Sequence, residues 1–268
     1  MRIARWIATT LLARRKPIRK VSRRGIVWTL DLREAIDLSI YLTGRFQHAV
    51  VREMAQIAGS SGTVIDVGAN RGAIVLPLAS LLPNHNFLAV EPVPDLVDTL
   101  RTALHANPTL ESQVTVVRNF LTFGDQTVPS QVDASWNLFA SSIRNKLSPA
   151  SQLLLGDTQA SSVDQLVQDF KISAVSAMKI DVEGFEPDVL RGAPETLRRF
   201  APPILMEWQP PLQRLRGFEP VECARFLAEF GYKPHLVKRI GSPQPISWDS
   251  LIRQYADSYC EVVLKHKS

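Results

Sequence analysis

The chain has 268 residues, of which 45% are hydrophobic and 21% are charged, a balance that excludes a disordered or fibrous protein and allows one α/β domain with a sizeable core. The formal net charge of +5 comes from residues 1–25, which hold nine of the 31 basic residues and no acid, whereas the remaining body is mildly acidic and gives no reason to expect a nucleic-acid partner. The two cysteines, Cys223 and Cys260, form no C-x-x-C pair and no cluster with zinc spacing, which argues against a disulfide framework and a structural metal.

The first predicted element is a basic arm at residues 1–25. Ile3, Ile7 and Leu11 recur on one helical face and predict a short amphipathic helix. Two alternatives stay open: the arm contacts an anionic membrane surface, or it packs on its own domain. The apolar stretch Trp6–Ala13 is too short to span a bilayer and runs into Arg-Arg-Lys, so we expect it to stay uncleaved. We therefore expect a cytoplasmic protein, located peripherally at the inner membrane surface under the first alternative.

Strands and helices alternate across residues 26–268, which we interpret as a single domain. Apolar runs bounded by turn signals predict a short strand at 27–30 and then seven strands of one sheet, at 63–68, 86–91, 114–120, 175–182, 204–208, 232–237 and 260–265. Helical patterns predict a lead-in at 36–46 and helices at 73–82, from Pro94, at 160–170, 187–200 and 220–230. This alternation predicts an α/β fold with a doubly wound sheet, and the closely spaced last two strands predict a C-terminal antiparallel hairpin.

One segment, at about 124–158, breaks this rhythm. It is rich in Ser, Gln, Asn and Pro and lacks the apolar periodicity of its neighbours. We interpret it as an insertion, either a hairpin or a mobile flap. Long segments of this kind inside a compact domain are often functional.

The loop after the first strand of the sheet carries the first candidate site. Its spacing, D-x-G-x-x-x-G, has one glycine fewer than the dinucleotide G-x-G-x-x-G, which argues against a pyrophosphate cradle. Glycine allows a sharp turn and tight packing, and the following helix N-terminus is expected to offer free N–H groups to an anion. An acid at the end of the next strand can accept both hydroxyls of a ribose. The candidate residues for an adenosyl cofactor are Asp66, Gly68, Ala69, Asn70, Gly72 and Glu91, with Asn119 as an adenine contact.

A second group of carboxylates, Asp181, Glu183 and Glu186, follows the fourth strand of the sheet. Because parallel strands end at the same edge, we expect this group beside the first loop. Like charges repel, so such a cluster is rarely structural, and it can supply a base, a substrate clamp or metal ligands. Glu186, just before Pro187, is also a candidate cap for the next helix. Glu207, at the end of the fifth strand, is the second-choice base.

The chain resembles the FkbM-type S-adenosylmethionine-dependent methyltransferases in six segments: TLDLREAIDLSIYLTGRF (29–46), TVIDVGANRG (63–72), VEP (90–92), SVDQL (162–166), MKIDVEGFEPDVLRGA (178–193) and PPILMEW (202–208). The resemblance implies the class I methyltransferase fold, which is Rossmann-like, and methyl transfer from S-adenosylmethionine to a hydroxyl of a sugar, glycolipid or polyketide. It also implies that Asp66, Gly68, Asn70, Gly72 and Glu91 hold the cofactor. Asp181 and Glu183 would line the acceptor side.

The methyl acceptor is the least determined part of this interpretation. We expect O-methylation of a hydroxyl on a sugar, glycolipid or related small molecule, as in bacterial glycan modification. The Asn/Asp-Pro-Pro-Tyr signature of enzymes that methylate nucleobase amino groups is missing, since residues 201–204 read APPI. Metal assistance, with Asp181 and Glu183 holding Mg²⁺, stays open. Two other classes also stay open: an NAD-dependent oxidoreductase on a similar sheet, and a catalytically silent binding protein that docks through its basic arm.

Overall fold

A mixed eight-stranded sheet forms the centre of the computed structural model, which describes residues 16–124, 127–133 and 152–266. The amphipathic helix predicted near the N-terminus and the middle of the 124–158 insertion lie outside these ranges. The strands within them are β1 (Ile18–Arg23), β2 (Ile26–Asp31), β3 (Gly62–Val67), β4 (His85–Val90), β5 (Val114–Val117), β6 (Asn119–Leu121), β7 (Gln131–Asp133), β8 (Gln152–Leu154), β9 (Gln159–Ser161), β10 (Val175–Ile180), β11 (Ile204–Trp208), β12 (Tyr232–Leu236), β13 (Gln244–Pro245) and β14 (Cys260–His266).

The helices of the same ranges pack mainly on the two faces of this sheet. They are α1 (Ala35–Thr43), α2 (His48–Ile57), α3 (Val75–Leu81), α4 (Pro94–His105), α5 (Pro108–Glu111), α6 (Val163–Asp169), α7 (Glu186–Arg191), α8 (Pro194–Phe200), α9 (Pro210–Leu215), α10 (Pro220–Glu229) and α11 (Trp248–Gln254). Several of them begin with proline in the first turn, where its fixed φ suits a helix and its missing N–H costs no hydrogen bond.

The main sheet runs in the order β13-β12-β14-β11-β10-β3-β4-β5. Five adjacent strands are parallel to one another: β11, β10, β3, β4 and β5. β14 lies between β11 and β12 and is antiparallel to both. The predicted α/β fold with an antiparallel C-terminal pair is therefore confirmed, and the eighth strand is the two-residue β13 at one edge.

Both faces of the sheet are covered, because successive side chains of a strand point to opposite sides. In β3, Val64 packs in the core cluster that contains α1 to α4, whereas Ile65 and Val67 pack in the cluster that contains α6 to α8, α10 and α11. Burial on both faces explains why this strand reads as a continuous apolar run. Asp66 interrupts the run and is fully buried, which marks it as a residue that needs an explanation.

Three predicted elements are divided or shortened in the structure. The predicted strand at 114–120 ends in the main sheet at Val117, and β6 pairs with β9 instead. The helix predicted from residue 160 begins at Val163, because the residues before it form β9. The helix predicted at 187–200 is two helices, since Pro194 opens α8 and has no N–H with which to continue α7. Helices α2, α9 and α11 occur where the sequence pattern predicted none.

The N-terminal hairpin of β1 and β2 is antiparallel, and its first strand falls within the segment 1–25 that the sequence analysis grouped as an arm. Asn107 fastens the hairpin to the body: its Oδ1 accepts from the N–H of Val27 at 2.9 Å, and its Nδ2 donates to the carbonyl oxygen of Val27 at 2.8 Å. Across the described ranges, no helix has both the length and the apolar character that a membrane crossing requires.

The SVDQL segment has a structural explanation. The Ser162 hydroxyl oxygen accepts from the N–H of Gln165 at 3.0 Å and so caps α6. Asp164, one turn further on, accepts from the N–H groups of Glu195 and Thr196, each at 2.8 Å, and so caps α8. These contacts join two neighbouring helices and require no role for the segment in binding or catalysis.

Candidate active site

A cavity of about 220 Å³ lies at the carboxyl ends of β3, β4 and β10. β3 lies between the other two in the sheet, which is the position where open α/β sheets bind ligands. The predicted site residues that line the cavity are Gly68, Ala69, Asn70, Glu91, Asn119, Asp181 and Glu183. Three predicted residues, Asp66, Gly72 and Glu207, lie outside the lining.

Gly68 is the point where the two predicted motifs touch. Its φ is +77°, and a Cβ at this position would collide with the backbone carbonyl oxygen of Asp181. Only glycine allows both the conformation and the approach. Gly72, with φ +88°, has a different role, because a Cβ there would run into the side chains of Leu76 and Leu100. It permits the tight packing expected at the start of the helix.

The backbone N–H groups of residues 68–72 are all used inside the protein. The first two donate to the carbonyl oxygen of Val90, at 2.9 and 3.0 Å. The third, that of Asn70, donates to Oε2 of Glu91 at 2.8 Å, and the last two donate within the loop itself. No N–H group of residues 68–72 is therefore left for an anionic ligand, and the expectation that the N-terminus of the following helix, which begins at Val75, offers such groups stays a prediction.

Glu91 is both an anchor of this loop and part of the cavity wall. It is 4% exposed, and its Oε1 accepts from the N–H of Val93 at 3.0 Å. Burial raises the pKa of Glu91 to about 7, although the two backbone hydrogen bonds favour the ionised form. Each carboxylate oxygen keeps a second lone pair, so Glu91 can still accept hydroxyl groups of a ligand.

Lys179 is a buried cation in the cavity wall that the sequence analysis did not single out. Its Nζ lies 3.2 Å from Oδ1 of Asp66 and 3.6 Å from Oδ2 of Asp181. Burial disfavours its charge, but these two carboxylates outweigh that effect and raise the pKa of Lys179. Asp66 therefore forms an ion pair with Lys179 and does not line the cavity. The period of two along β10 could have revealed the contact, because it puts Lys179 and Asp181 on one face.

Glu186 shapes the loop that carries Asp181 and Glu183. It is fully buried, and its Oε1 accepts from the N–H groups of Val182 and Gly184 at 3.2 and 3.1 Å. Burial raises the pKa of Glu186 to about 7. Although Glu186 stands in the first turn of α7, it bonds back to the preceding loop. The prediction that it caps this helix is wrong.

Backbone strain is concentrated around the cavity. In the described ranges, six residues other than glycine have a positive φ, and three of them line the cavity: Gln47 (+38°), Asn70 (+51°) and Glu183 (+54°). Such conformations cost free energy and persist where the surroundings enforce them, which is common at functional sites. The strain therefore supports the assignment of both loops to the site.

Glu207 lies at the end of β11 and is 6% exposed. The Gln209 amide donates to its Oε2, and the register of β10 and β11 places the carboxyl group of Asp181 beside it. Burial first, and then the charge of Asp181, raises the pKa of Glu207 to about 10. At neutral pH Glu207 therefore holds a proton, which favours it as a donor and not as the base that its position suggested.

One wall of the cavity comes from residues 34–47, which the sequence analysis did not assign to the site. Arg71 ties this wall to the first loop, because its Nη1 lies 2.6 Å from Oδ2 of Asp37. The same Asp37 oxygen accepts from the N–H of Asp31 at 2.7 Å. The lead-in at 29–46 was the signal that could have placed this segment at the site.

Another wall is apolar and aromatic. The rings of Phe120 and Phe185 pack edge to face with their centroids 5.1 Å apart. Val132 and Leu153 come from β7 and β8, which pair antiparallel and are the described ends of the 124–158 insertion. Asn119, at the predicted adenine position, donates its amide to a backbone carbonyl of β9 at 3.3 Å. The described part of the insertion therefore contributes to the cavity.

In the part of the chain that the structure describes, no group of three or more His, Cys, Asp or Glu side chains is placed to hold a metal ion. Asp181 already has a cationic partner in Lys179. The Asp181 side chain is 22% exposed and lines the cavity, so a small acceptor can reach it.

Several solved structures are similar to this chain at low sequence identity. The precorrin-6y C5,15-methyltransferase of Geobacter metallireducens GS-15 is 13% identical, with 82% of this chain and 88% of that chain covered and a TM-score of 0.45. The methyltransferase FkbM of Methylobacillus flagellatus KT is 15% identical, with 76% and 43% covered and a TM-score of 0.45. An O-methyltransferase family protein of Burkholderia thailandensis is 11% identical, with 87% and 57% covered and a TM-score of 0.46. At these values the likeness carries no information on substrate.

Sequence comparison gives a more specific result. No curated protein matches the chain. The family model described as the methyltransferase FkbM domain matches residues 66–234, which is more than half of the chain and includes both loops of the cavity. This match agrees with the resemblance seen in the motifs and identifies a methyltransferase. The chain belongs to the FkbM methyltransferase domain family.

Proposed function

We propose that the protein transfers a methyl group from S-adenosylmethionine to a hydroxyl of a sugar, glycolipid or related small molecule. The observation that carries this proposal is the meeting of two loops at one cavity. One loop presents Glu91 and the other presents Asp181 and Glu183, and the loops touch where Gly68 meets the Asp181 backbone. Family membership supports the methyltransferase class and leaves the oxidoreductase alternative without support.

The residues of the cavity fit S-adenosylmethionine. Glu91 is buried at the end of β4, where a carboxylate can accept the ribose hydroxyls. Asn119 and the apolar wall around Phe120 suit the adenine ring. The lining has four carboxylates, Glu34, Glu91, Asp181 and Glu183, against two cations, and both cations are paired with carboxylates of the protein. An acidic lining favours a cationic sulfonium.

When bound, S-adenosylmethionine supplies an activated methyl group. The protein then has to align the acceptor oxygen and remove the hydroxyl proton, which adds on the order of 10²–10⁴-fold to the rate. Asp181 and Glu183 are the carboxylates placed for that proton, since both line the cavity at the end of β10. They can also accept hydrogen bonds from other hydroxyls of a sugar, which favours a polyhydroxyl acceptor over a phosphate.

Two measurements test this proposal. Calorimetric titration with S-adenosylmethionine should show binding, and Glu91→Ala should abolish or weaken it. Mass spectrometry of glycolipids and polysaccharides, incubated with the protein and the cofactor, should show a product heavier by one methyl group in place of a hydrogen. Omission of the cofactor is the control. Failure to bind at millimolar cofactor would instead support a catalytically silent binding protein.

A further inference from the structure

A row of ionisable side chains crosses four strands at the edge of the sheet beside the cavity. Lys179 is in register with Asp66 on β3, and Glu207 is in register with Glu261 on β14. Because β10 and β11 are parallel with Ile180 beside Met206, the next residues along, Asp181 and Glu207, follow as neighbours. The period of two puts all of these groups on one face of the sheet.

Charge in this row is unbalanced. Four carboxyl groups, those of Asp66, Asp181, Glu207 and Glu261, accompany one described cation, Lys179. Lys179 contacts Asp66 and Asp181 directly, at 3.2 and 3.6 Å. Glu207 has different neighbours: the Gln209 amide donates to its Oε2, and the strand register places the carboxyl group of Asp181 beside it. Two neighbouring carboxyl groups form a hydrogen bond only when a proton lies between them, so a hydrogen bond in this pair requires one proton.

We propose that Glu207 is a positioning residue that keeps this proton and donates it in a hydrogen bond to Asp181, so that Asp181 stays fixed towards the cavity. The inference rests on the proposed function, in which Asp181 faces the acceptor. Gln209 occupies Oε2 of Glu207 and leaves Oε1 for the donated proton. Glu207 does not line the cavity, so it acts through Asp181 and not on the acceptor.

The electrostatic surroundings agree with this assignment. Burial is the largest effect on Glu207, followed by the charges of Asp181, Glu261 and Glu183, and together they raise its pKa to about 10. Burial also raises the pKa of Glu261 to about 7, against the opposing effect of Lys179. The proton therefore resides on Glu207 throughout the neutral range.

Glu207→Gln, which keeps the shape of the side chain, distinguishes a role of Glu207 as a hydrogen-bond donor from a role as a base. Glu207→Gln keeps an N–H donor towards Asp181, so it should retain most of the methyl transfer activity. Glu207→Leu has similar bulk and no donor, so it should lower turnover at least about tenfold, with cofactor binding unchanged. Rescue by glutamine and not by leucine is expected of a proton-bearing positioning residue. Equal loss in both variants would overturn the proposal, because a base fails in either form.

A second measurement needs neither cofactor nor acceptor. In protein labelled with ¹³C at glutamate side-chain carboxyl carbons, the signal lost in Glu207→Gln identifies Glu207. It should show a protonated carboxyl up to about pH 8 in the wild-type protein and titrate at least about one pH unit lower in Asp181→Asn. Glu261→Gln is the matched control, because it removes a neighbouring acid and leaves the Asp181 contact.

The two measurements distinguish the two proposals. An ionised Glu207 signal at neutral pH would overturn the positioning role even if the enzyme methylates its acceptor. A protonated signal whose titration moves further in Asp181→Asn than in Glu261→Gln supports the pair, even if methyl transfer is never found. In that case the proposed function fails and the shared proton stands as a feature of the fold.

Discussion

The two loops of the cavity, 68–72 and 181–186, solve the same folding problem in two ways. Each follows a buried parallel strand, and each is anchored by a buried carboxylate that accepts two backbone N–H groups. In the first loop the anchor, Glu91, also faces the cavity. In the second the anchor, Glu186, lies behind the cavity and is absent from its lining.

This difference separates binding from chemistry. Since Glu91 both anchors its loop and faces the ligand, any change of its charge should affect cofactor binding and stability together. Because Glu186 only anchors, the contact with an acceptor falls to Asp181 and Glu183, which line the cavity. A buried carboxyl group that accepts loop N–H groups can therefore also contact a ligand, as Glu91 does, or it can lie away from the ligand, as Glu186 does.

The largest expected effect is on turnover. Asp181→Asn and Glu183→Gln should keep S-adenosylmethionine binding within about threefold, since the cofactor loop is untouched, and the variant that lacks the base should lose about 10²–10⁴-fold in turnover. Calorimetry measures the binding and a methyl transfer assay measures the rate. Wild-type turnover in both variants would contradict the proposal that one loop binds the cofactor and the other carries the base.

The contact between the loops should matter nearly as much for stability. Gly68→Ala adds a collision with the Asp181 carbonyl to the cost of a positive φ and should lower the free energy of unfolding by about 3 kcal/mol or more. Gly59→Ala is the matched control: its φ is +70° and no atom lies within 4 Å of the added Cβ, so about 1 kcal/mol is expected. Urea unfolding gives both values. An equal loss of unfolding free energy in both variants would mean that the two loops are not in close contact at Gly68.

The anchor of the acidic loop should appear in the pH dependence of stability. The pKa of Glu186 is about 7 in the folded protein against an ordinary value of 4.5, so the folded state holds a proton that the unfolded chain has released between these values. Stability is therefore greatest below the lower value and falls as pH rises to about 7, by up to about 3 kcal/mol for this group. Glu186→Gln should remove this part of the slope, and an unchanged slope would contradict it.

The smallest expected effect concerns the anchor of the cofactor loop. As pH rises through about 7, Glu91 loses its proton and becomes a better acceptor for ribose hydroxyls, so cofactor affinity should rise by about tenfold between pH 6 and 8. Glu91→Gln should show a flat profile, whereas Glu186→Gln should keep the rise. Calorimetry across this pH range measures all three proteins. A rise that survives in Glu91→Gln would assign it to another group.

The sequence predicted the sheet and the two loops because these depend on local patterns. Continuous apolar runs identify buried strands such as β3 and β10, and the acids and glycines at their ends identify the loops. The strand order then brings Gly68 and Asp181 together, since both follow neighbouring parallel strands. Three of the four carboxylates of the cavity, Glu91, Asp181 and Glu183, were predictable for the same reason, whereas Glu34 was not.

The remaining features depend on contacts between distant segments. No local pattern shows that Glu91 uses up the N–H group of Asn70, or that Asp66 pairs with Lys179 below the cavity. The protonation of Glu207 also requires knowledge of burial and of the neighbouring Asp181. The break of the predicted strand after Val117 follows from the pairing of β6 with β9, which joins residues about 40 positions apart.

The wall at 34–47 and strand β14 both lie outside residues 66–234, yet one encloses the cavity and the other lies between β11 and β12. A fragment cut at those limits would lose β14, with which β11 and β12 both pair, and would leave unpaired backbone groups on each. It would also lose the partner of Arg71. The folded unit is therefore larger than the segment by which the family is recognised, and a chimera should carry residues 18–266 together.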